Sequence, residues 1–190
     1  LYNRLILSKK IDNVVIATSR NRVNSKLINL CKDKKIDFFS GSENNVLKRY
    51  FETSKKFNAD IIVRITGDSI LIDHQLVDKV IDSFEKNKVD YASNCQPATF
   101  PDGLDIEVFS KDCLNKTYKL AKNKYDKEHV TSLMRHSKKF KRINYKSDKD
   151  YSYIRWSLDQ EEDFQVIKLI LNHFNPSKYF SWKQILKLTE

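Results

Sequence analysis

Asp60-Ile61-Ile62-Val63-Arg64-Ile65-Thr66-Gly67-Asp68 is the stretch from which the fold is read. Ile61, Ile62, Val63 and Ile65 make a short β-branched apolar run, the pattern of a parallel strand covered on both faces. Thr66-Gly67 ends it. Gly67 has no Cβ, so the chain can turn sharply there and a ligand can approach the backbone. Asp68 then stands at the carboxyl end of the strand, the edge at which open α/β sheets bind ligands. Arg64 lies within the apolar run, where a charge needs a partner: a buried carboxylate, or a phosphate at the cleft.

Upstream, Leu1, Leu5 and Ile6 fall at helical spacing over residues 1–10. Val14 to Ala17 reads as a strand that runs into Thr18-Ser19. Asn24 to Lys34 reads as a helix with Leu27, Ile28, Leu30 and Cys31 inward. Ile36 to Phe39 is a short strand that turns at Ser40-Gly41-Ser42, and Val46 to Phe57 is a helix with one apolar stripe. After the pivotal strand come an amphipathic helix over His74 to Asn87 and a strand over Asp90 to Ser93. The first half therefore reads β-α-β-α-β-α-β, which predicts a mostly parallel sheet with right-handed crossovers.

The second half has another texture. Pro97 to Gly103 is a loop. Leu104 to Phe109 alternates apolar Ile106 and Val108 with acidic Asp105 and Glu107, which predicts a strand with one face wet or lining a cleft. Lys111 to Asn123 and Lys127 to His136 read as helices, and Phe140 to Tyr145 as an edge strand. Tyr153 to Leu158 reads as a strand ending at Asp159, followed by a helix over Glu161 to Phe174. Ser181-Trp182-Lys183-Gln184 has capping-box spacing for a last helix.

The 190 residues, 40% of them hydrophobic, suffice for one buried domain, so residues 1–190 are taken as a single unit. No apolar run approaches a membrane span, and no signal peptide is visible. The net charge of +10 comes from lysines spread along the chain, without a basic block or a nucleic-acid signature. Cys31, Cys95 and Cys113 are too few and too scattered for a disulfide framework or a zinc site, which points to reduced thiols in a cytoplasm.

Asp68 and Asp159 each follow an apolar segment. Two carboxylates at neighbouring strand ends, completed by water and substrate phosphate, are what Mg²⁺ takes; the bland alternative is that each acid caps the next helix. Asp73 reads as the cap of the His74 helix. Asp102, Asp105 and Glu107 gather around a strand start, where they either receive hydrogen bonds from sugar hydroxyls or merely solvate the surface. His129 has Glu128 beside it and Arg135 further along.

Five motifs then occur in order: Gly41-Ser42-Glu43 with Val46-Leu47 and Arg49-Tyr50; Arg64-Ile65-Thr66-Gly67-Asp68 with Leu71-Ile72-Asp73; Phe100-Pro101-Asp102-Gly103-Leu104-Asp105-Ile106-Glu107-Val108-Phe109; Glu128-His129-Val130-Thr131; and Arg155-Trp156-Ser157-Leu158-Asp159 with Glu162-Asp163. Together they resemble the cytidylyltransferases of the spore-coat polysaccharide type, relatives of the CMP-sugar synthetases for sialic acid and Kdo. The resemblance implies a nucleotide-diphospho-sugar-transferase-like, Rossmann-like three-layer sandwich. It implies the reaction CTP + sugar → CMP-sugar + pyrophosphate, with an acidic sugar, for surface polysaccharide or glycan biosynthesis. Asp68 and Asp159 become the Mg²⁺-holding catalytic acids. Asp102, Asp105, Glu107 and His129 become sugar contacts, and Thr18, Ser19, Gly41, Ser42, Arg64 and Gly67 nucleotide contacts.

The chain departs from the pattern in one large respect. Relatives open with a strand and a basic glycine-containing loop that grips the triphosphate, and this sequence starts where the following helix would end. An N-terminally incomplete domain, itself weak in turnover, is the expectation. Two other readings stand beside it: a glycosyltransferase that consumes a nucleotide sugar, and a non-catalytic scaffold. A homodimer is expected through the strand at 104–109 and the aromatics Tyr118, Tyr125, Tyr179 and Trp182, unless these pack internally.

Overall fold

A computed structural model describes residues 1–177 and 179–189. The elements run α1 (Tyr2–Leu5), β1 (Ile16–Ser19), α2 (Ser25–Asp33), β2 (Phe38–Gly41), α3 (Val46–Lys56), β3 (Ile61–Arg64), α4 (His74–Asn87), β4 (Tyr91–Ser93), β5 (Glu107–Ser110), α5 (Lys111–Leu120), α6 (Lys124–His129), α7 (Ser132–His136), β6 (Arg142–Asn144), α8 (Glu161–Phe174) and α9 (Trp182–Thr189). The α/β class is as the sequence predicts.

The strands form two sheets. β1 pairs with β2 in parallel, and β3, β5, β4 and β6 lie side by side in that order. β5 runs antiparallel to both β3 and β4, while β6 is parallel to β4. Three of these four strands therefore share one direction, and β5 is inverted between them. The sequence order concealed this, because pairing of β5 into the middle of the sheet is a long-range choice that no local pattern encodes.

Residues alternate across this sheet, as strand geometry requires. Ala92 and Val108 face a core built with α4, α8 and α9, which holds Leu76, Val80, Ile167, Ile170 and Ile185. Tyr91 and Phe109 face the opposite core, with Leu47, Cys113, Leu114 and Met134. Helices thus cover both faces of the sheet. α1 is fastened to the first core by buried Arg4, which donates to the carbonyls of Ile72 at 2.6 Å and Phe180 at 2.8 Å and lies over the Phe180 ring.

Helices α4 and α8 have the predicted bounds. Asp73 caps α4, accepting from the Gln75 amide at 2.8 Å, and its other oxygen accepts from the Trp182 amide at 2.9 Å. One carboxylate thereby ties the start of α9 to the start of α4. The expected capping box is formed at Ser181 and Gln184.

Several expectations need correction. β3 is not covered on both faces: Ile61 is 43% exposed, because the strand is paired with β5 on one side alone. β5 is not half wet. Ile106, Glu107, Val108 and Phe109 are all fully buried, since β5 is a central strand and the charge of Glu107 is met inside. Tyr153 to Leu158 is not a strand; it runs irregularly beside the 102 loop, with one isolated bridge between Asp102 and Arg155. The single helix expected over 127–136 is two, broken at buried Val130, whose φ of 52° lies in the left-handed region that a β-branched residue rarely enters. On α2 only Cys31 is buried, and Leu30 is 50% exposed.

The exposure of Ile61 and of Leu27 on α2 has a common cause. β1 and β3 are not hydrogen-bonded to each other, and a cavity of about 800 Å³ opens between them, lined by residues 14–18 of the β1 segment, residues 60–63 of β3, Leu27 and Ile81. Thr18 and Gly67 line it where the two strands run out.

Candidate active site

The carboxyl end of β3 carries Asp68, and the irregular 154–159 segment is laid against it. The Leu158 amide donates to the Asp68 carbonyl at 3.1 Å, which places Asp159 one residue from the Asp68 backbone. The 102 loop is stitched to the same segment: the Asp102 amide donates to the Ile154 carbonyl at 2.9 Å, and the Trp156 amide to the Asp102 carbonyl at 2.7 Å. Gly103 makes this fit possible. Its φ is +94°, and a Cβ there would lie 2.6 Å from the Ser157 nitrogen and 2.6 Å from the Trp156 carbonyl carbon. Gly67, by contrast, has open space where a Cβ would be and no left-handed φ, so the sharp turn expected there is not what keeps it a glycine.

Two carboxylates meet at this corner, and Asp68 is joined to it through its backbone carbonyl. The Ser157 hydroxyl is 2.9 Å from Oδ2 of Asp102 and 3.2 Å from Oδ2 of Asp159. Arg155 pairs with Asp159 at 2.8 Å and with Asp163 at 3.0 Å. α8 starts with a capping box of Gln160 and Asp163, without the Asp159 side chain: Asp163 accepts from the amides of Asp159 and Gln160, which with Arg155 hold its carboxyl below the usual range. Asp68 is likewise not a helix cap; its Oδ1 accepts from the Thr66 and Ser69 hydroxyls. The capping alternative is therefore removed for both acids. Ser157, Gly103, Arg155 and Thr66 are the members that the sequence reading passed over as site-builders, although all four fall within its quoted motifs.

Among the described residues no three His, Cys, Asp or Glu side chains form a closed cage for a cation. The donor set has the character of an open site instead. Among the described residues, Oδ2 of Asp68 and Oδ1 of Asp159 have no hydrogen-bond partner, and hard carboxylate oxygens in ones and twos, completed by phosphate and water, are the chemistry of Mg²⁺.

The remaining sequence-nominated residues divide. Asp105 is close to the corner acids: desolvation first, then Asp102 and Glu107, raise its carboxyl. Glu107 is 1% exposed and lies at the centre of an ion network. One oxygen pairs with Arg64, and the other receives the Tyr91 hydroxyl at 2.6 Å and Arg135 Nη2 at 2.7 Å. Burial would raise its carboxyl, but Arg64 and then Arg135 outweigh that and hold it below the usual range. The buried-carboxylate alternative for Arg64 is thus the observed one. His129 is exposed at the end of α6 with its ring 4.3 Å from that of Tyr125; the kink at Val130 instead turns Thr131 and Arg135 toward Glu107.

On the other sheet, Ser19 is buried and its Oγ receives the Asn24 amide group at 2.8 Å. Gly41 sits so close to Phe39 and Arg49 that a Cβ would lie 2.7 Å from the Phe39 ring. The Ser42 carbonyl receives Arg49 Nη1 at 2.7 Å. Of the aromatics expected at a dimer surface, Trp182 is buried and Tyr118 stacks on Phe51 at 4.2 Å, while Tyr125 and Tyr179 are exposed.

Comparison with known proteins gives a consistent result. The family model for cytidylyltransferases matches residues 1–183. An uncharacterised protein of Methanocaldococcus jannaschii is 35% identical over 178 residues, 92% of this chain and 72% of its own length. The spore coat polysaccharide biosynthesis protein SpsF of Bacillus subtilis is 28% identical over 163 residues, 84% of this chain and 67% of its own. The structure of a cytidylyltransferase from Leptospira borgpetersenii superposes with a TM-score of 0.92 at 33% identity, covering 98% of this chain and 79% of that one. A CMP:2-keto-3-deoxy-manno-octonic acid synthetase, solved with CTP, superposes with a TM-score of 0.66 at 12% identity over 90% of this chain and 86% of its own, a likeness of fold.

Proposed function

The chain belongs to the cytidylyltransferase family, and from that premise we propose that it transfers CMP from CTP to an acidic sugar and releases pyrophosphate. A glycan or surface-polysaccharide pathway is the setting that the similarity to SpsF supports. The observation that carries the reading is the corner of Asp68, Asp102 and Asp159, locked by Gly103 and Ser157 at the carboxyl end of β3.

In the reaction the sugar hydroxyl oxygen bonds to the α-phosphorus, the bond to pyrophosphate breaks, and the hydroxyl proton is lost. Charge builds on phosphate oxygens, so the demand on the protein is positioning and neutralisation more than covalent chemistry. Asp68 and Asp159 are the residues that would hold Mg²⁺, which supplies the charge neutralisation when bound. Asp102 and Asp105, exposed beside them, receive hydrogen bonds from sugar hydroxyls. Glu107 acts through others: with both oxygens occupied, it fixes Arg64 and Arg135. Thr18 and Gly67, on the wall of the cavity beside β3, would contact the nucleotide together with Ser19, Gly41 and Ser42, while Arg64 is held by Glu107.

Pyrophosphate release from CTP, UTP, ATP and GTP, each with Mg²⁺ and either 2-keto-3-deoxy-manno-octonic acid, other sugar acids or neutral sugars, tests the reading. Release that needs CTP and a sugar acid is expected. Equal use of UTP, or consumption of a nucleotide sugar instead of CTP, would replace it with the glycosyltransferase reading.

A further inference from the structure

Asp68 sits in a turn that bonds to itself. The Ser69 amide donates to the Thr66 carbonyl at 3.3 Å, the Ile70 amide to the Asp68 carbonyl at 2.9 Å and the Ile72 amide to the Ser69 carbonyl at 3.2 Å. Leu71 and Ile72, both fully buried, anchor its far end in the core built with α4. The turn thereby fixes two hydroxyls against the carboxylate. Thr66 Oγ1 donates to Oδ1 of Asp68, Ser69 Oγ donates to the same oxygen at 3.3 Å, and the two hydroxyls are 3.1 Å apart. Ser69 is 1% exposed, so its hydroxyl has little water to turn to.

Both donors reach one oxygen. A carboxylate oxygen offers about two lone-pair sites, and on Oδ1 of Asp68 both are taken, while Oδ2 has no partner among the described residues. Asp159 shows the same asymmetry: Arg155 Nη2 at 2.8 Å and the Ser157 hydroxyl at 3.2 Å both reach Oδ2, and Oδ1 is left without a partner among the described residues. In each acid a hydroxyl stands two residues ahead, as Thr66-Gly67-Asp68 and as Ser157-Leu158-Asp159.

This asymmetry bears on which cation the acids can serve. Mg²⁺ is small, demands near-ideal octahedral geometry and is held through one or two carboxylates, whereas Ca²⁺ takes roughly six to eight oxygens and readily uses both oxygens of one carboxylate. For Asp68 to offer both oxygens, Oδ1 must give up a donor, and a hydroxyl left without its acceptor in a buried turn is costly. On the reading of Asp68 and Asp159 as the Mg²⁺-holding acids, we infer that Thr66 and Ser69 are positioning residues that set the cation preference: by occupying Oδ1 of Asp68 they present Oδ2 alone, which admits Mg²⁺ and penalises Ca²⁺. Both act through Asp68. Partners of this kind, one step removed from a metal, carry roughly 10–100-fold in metal affinity.

Calorimetric titration of CTP at a series of Mg²⁺ and of Ca²⁺ concentrations gives, for each cation, the concentration that half-supports binding, and the ratio of the two is the readout. In the wild-type chain Mg²⁺ is expected to serve at the lower concentration. Thr66→Val, which keeps the branched shape and removes the hydroxyl, is expected to move the ratio about tenfold or more toward Ca²⁺. Ser69→Ala is expected to move it the same way, and carries the test by itself if urea titration shows Thr66→Val unfolded. Thr66→Ser is expected to restore the wild-type ratio. A merely structural role for these hydroxyls would weaken binding with both cations together, so a ratio unchanged in the variants overturns the assignment, as does a wild-type ratio that favours Ca²⁺. CTP binding that needs no divalent cation in the wild type is a separate failure, of the metal reading itself, and removes this role with it.

Discussion

Replacing Glu107 by Gln removes the carboxylate that Arg64 and Arg135 share while keeping the shape of the side chain. Glu107 is 1% exposed, and its partners are themselves mostly shielded, with side-chain exposures of 18% and 27%. Breaking a buried ion network by removing one partner costs about 3–5 kcal/mol, because the remaining charges stay desolvated and here also repel each other. For a domain of this size that corresponds to roughly 6–20 °C in melting temperature. The sign of the pH dependence follows. The folded carboxyl is held below its ordinary value by the arginines, so its contribution is complete above the unfolded pKa of about 4.3 and is lost as pH falls through the folded value. Urea titrations at pH 7 and at a series of lower pH values should therefore show the wild type and Glu107→Gln converging in acid. A loss under 1 kcal/mol at pH 7, or a difference that does not shrink in acid, refutes the argument that this network is dry and paired.

Gly103→Ala should destabilise by about 1–3 kcal/mol, the cost of a strained left-handed residue, and should lower Mg²⁺-dependent CTP binding, since the added Cβ pushes the 102 loop off Trp156 and Ser157; urea unfolding and calorimetry check both halves. Asp73→Ala should cost about 1–2 kcal/mol through the lost cap of α4, with hydrogen exchange accelerated in α9 as well as in the first turn of α4, because the same carboxylate receives the Trp182 amide. Leu104→Ala, at a fully buried site in the core under the 102 loop, should cost about 2–5 kcal/mol; a value near zero in denaturant titration would show that this loop is not anchored by packing.

The parts of the fold that were legible in the sequence are those governed by neighbours along the chain. α4 and α8 show an apolar face at helical period, and their caps sit at their starts, so their bounds follow from residues 73–87 and 160–174 alone. The insertion of β5 between β3 and β4 was not legible, because pairing partners more than a dozen residues apart leave no local mark. The alternation of Asp105 and Glu107 with Ile106 and Val108 pointed to a wet face. The structure buries Glu107 because Arg64 and Arg135 arrive from other elements, and no periodicity shows that. Leu27 reads as core and lies open for a related reason: the sequence shows that it is apolar, not that β1 and β3 leave a cavity between them. At the site, Asp68 and Asp159 were legible as acids that end apolar segments. What joins them, the bond from the Leu158 amide to the Asp68 carbonyl and the Gly103 contact with Trp156, is tertiary.

The most direct test of the acid corner is calorimetric titration of CTP with and without Mg²⁺, in the wild-type chain and in Asp68→Asn and Asp159→Asn. The account predicts CTP binding that requires Mg²⁺ in the wild type and is lost in both variants while their urea midpoints stay near wild type. CTP binding that is indifferent to Mg²⁺, or that survives in both variants, contradicts it.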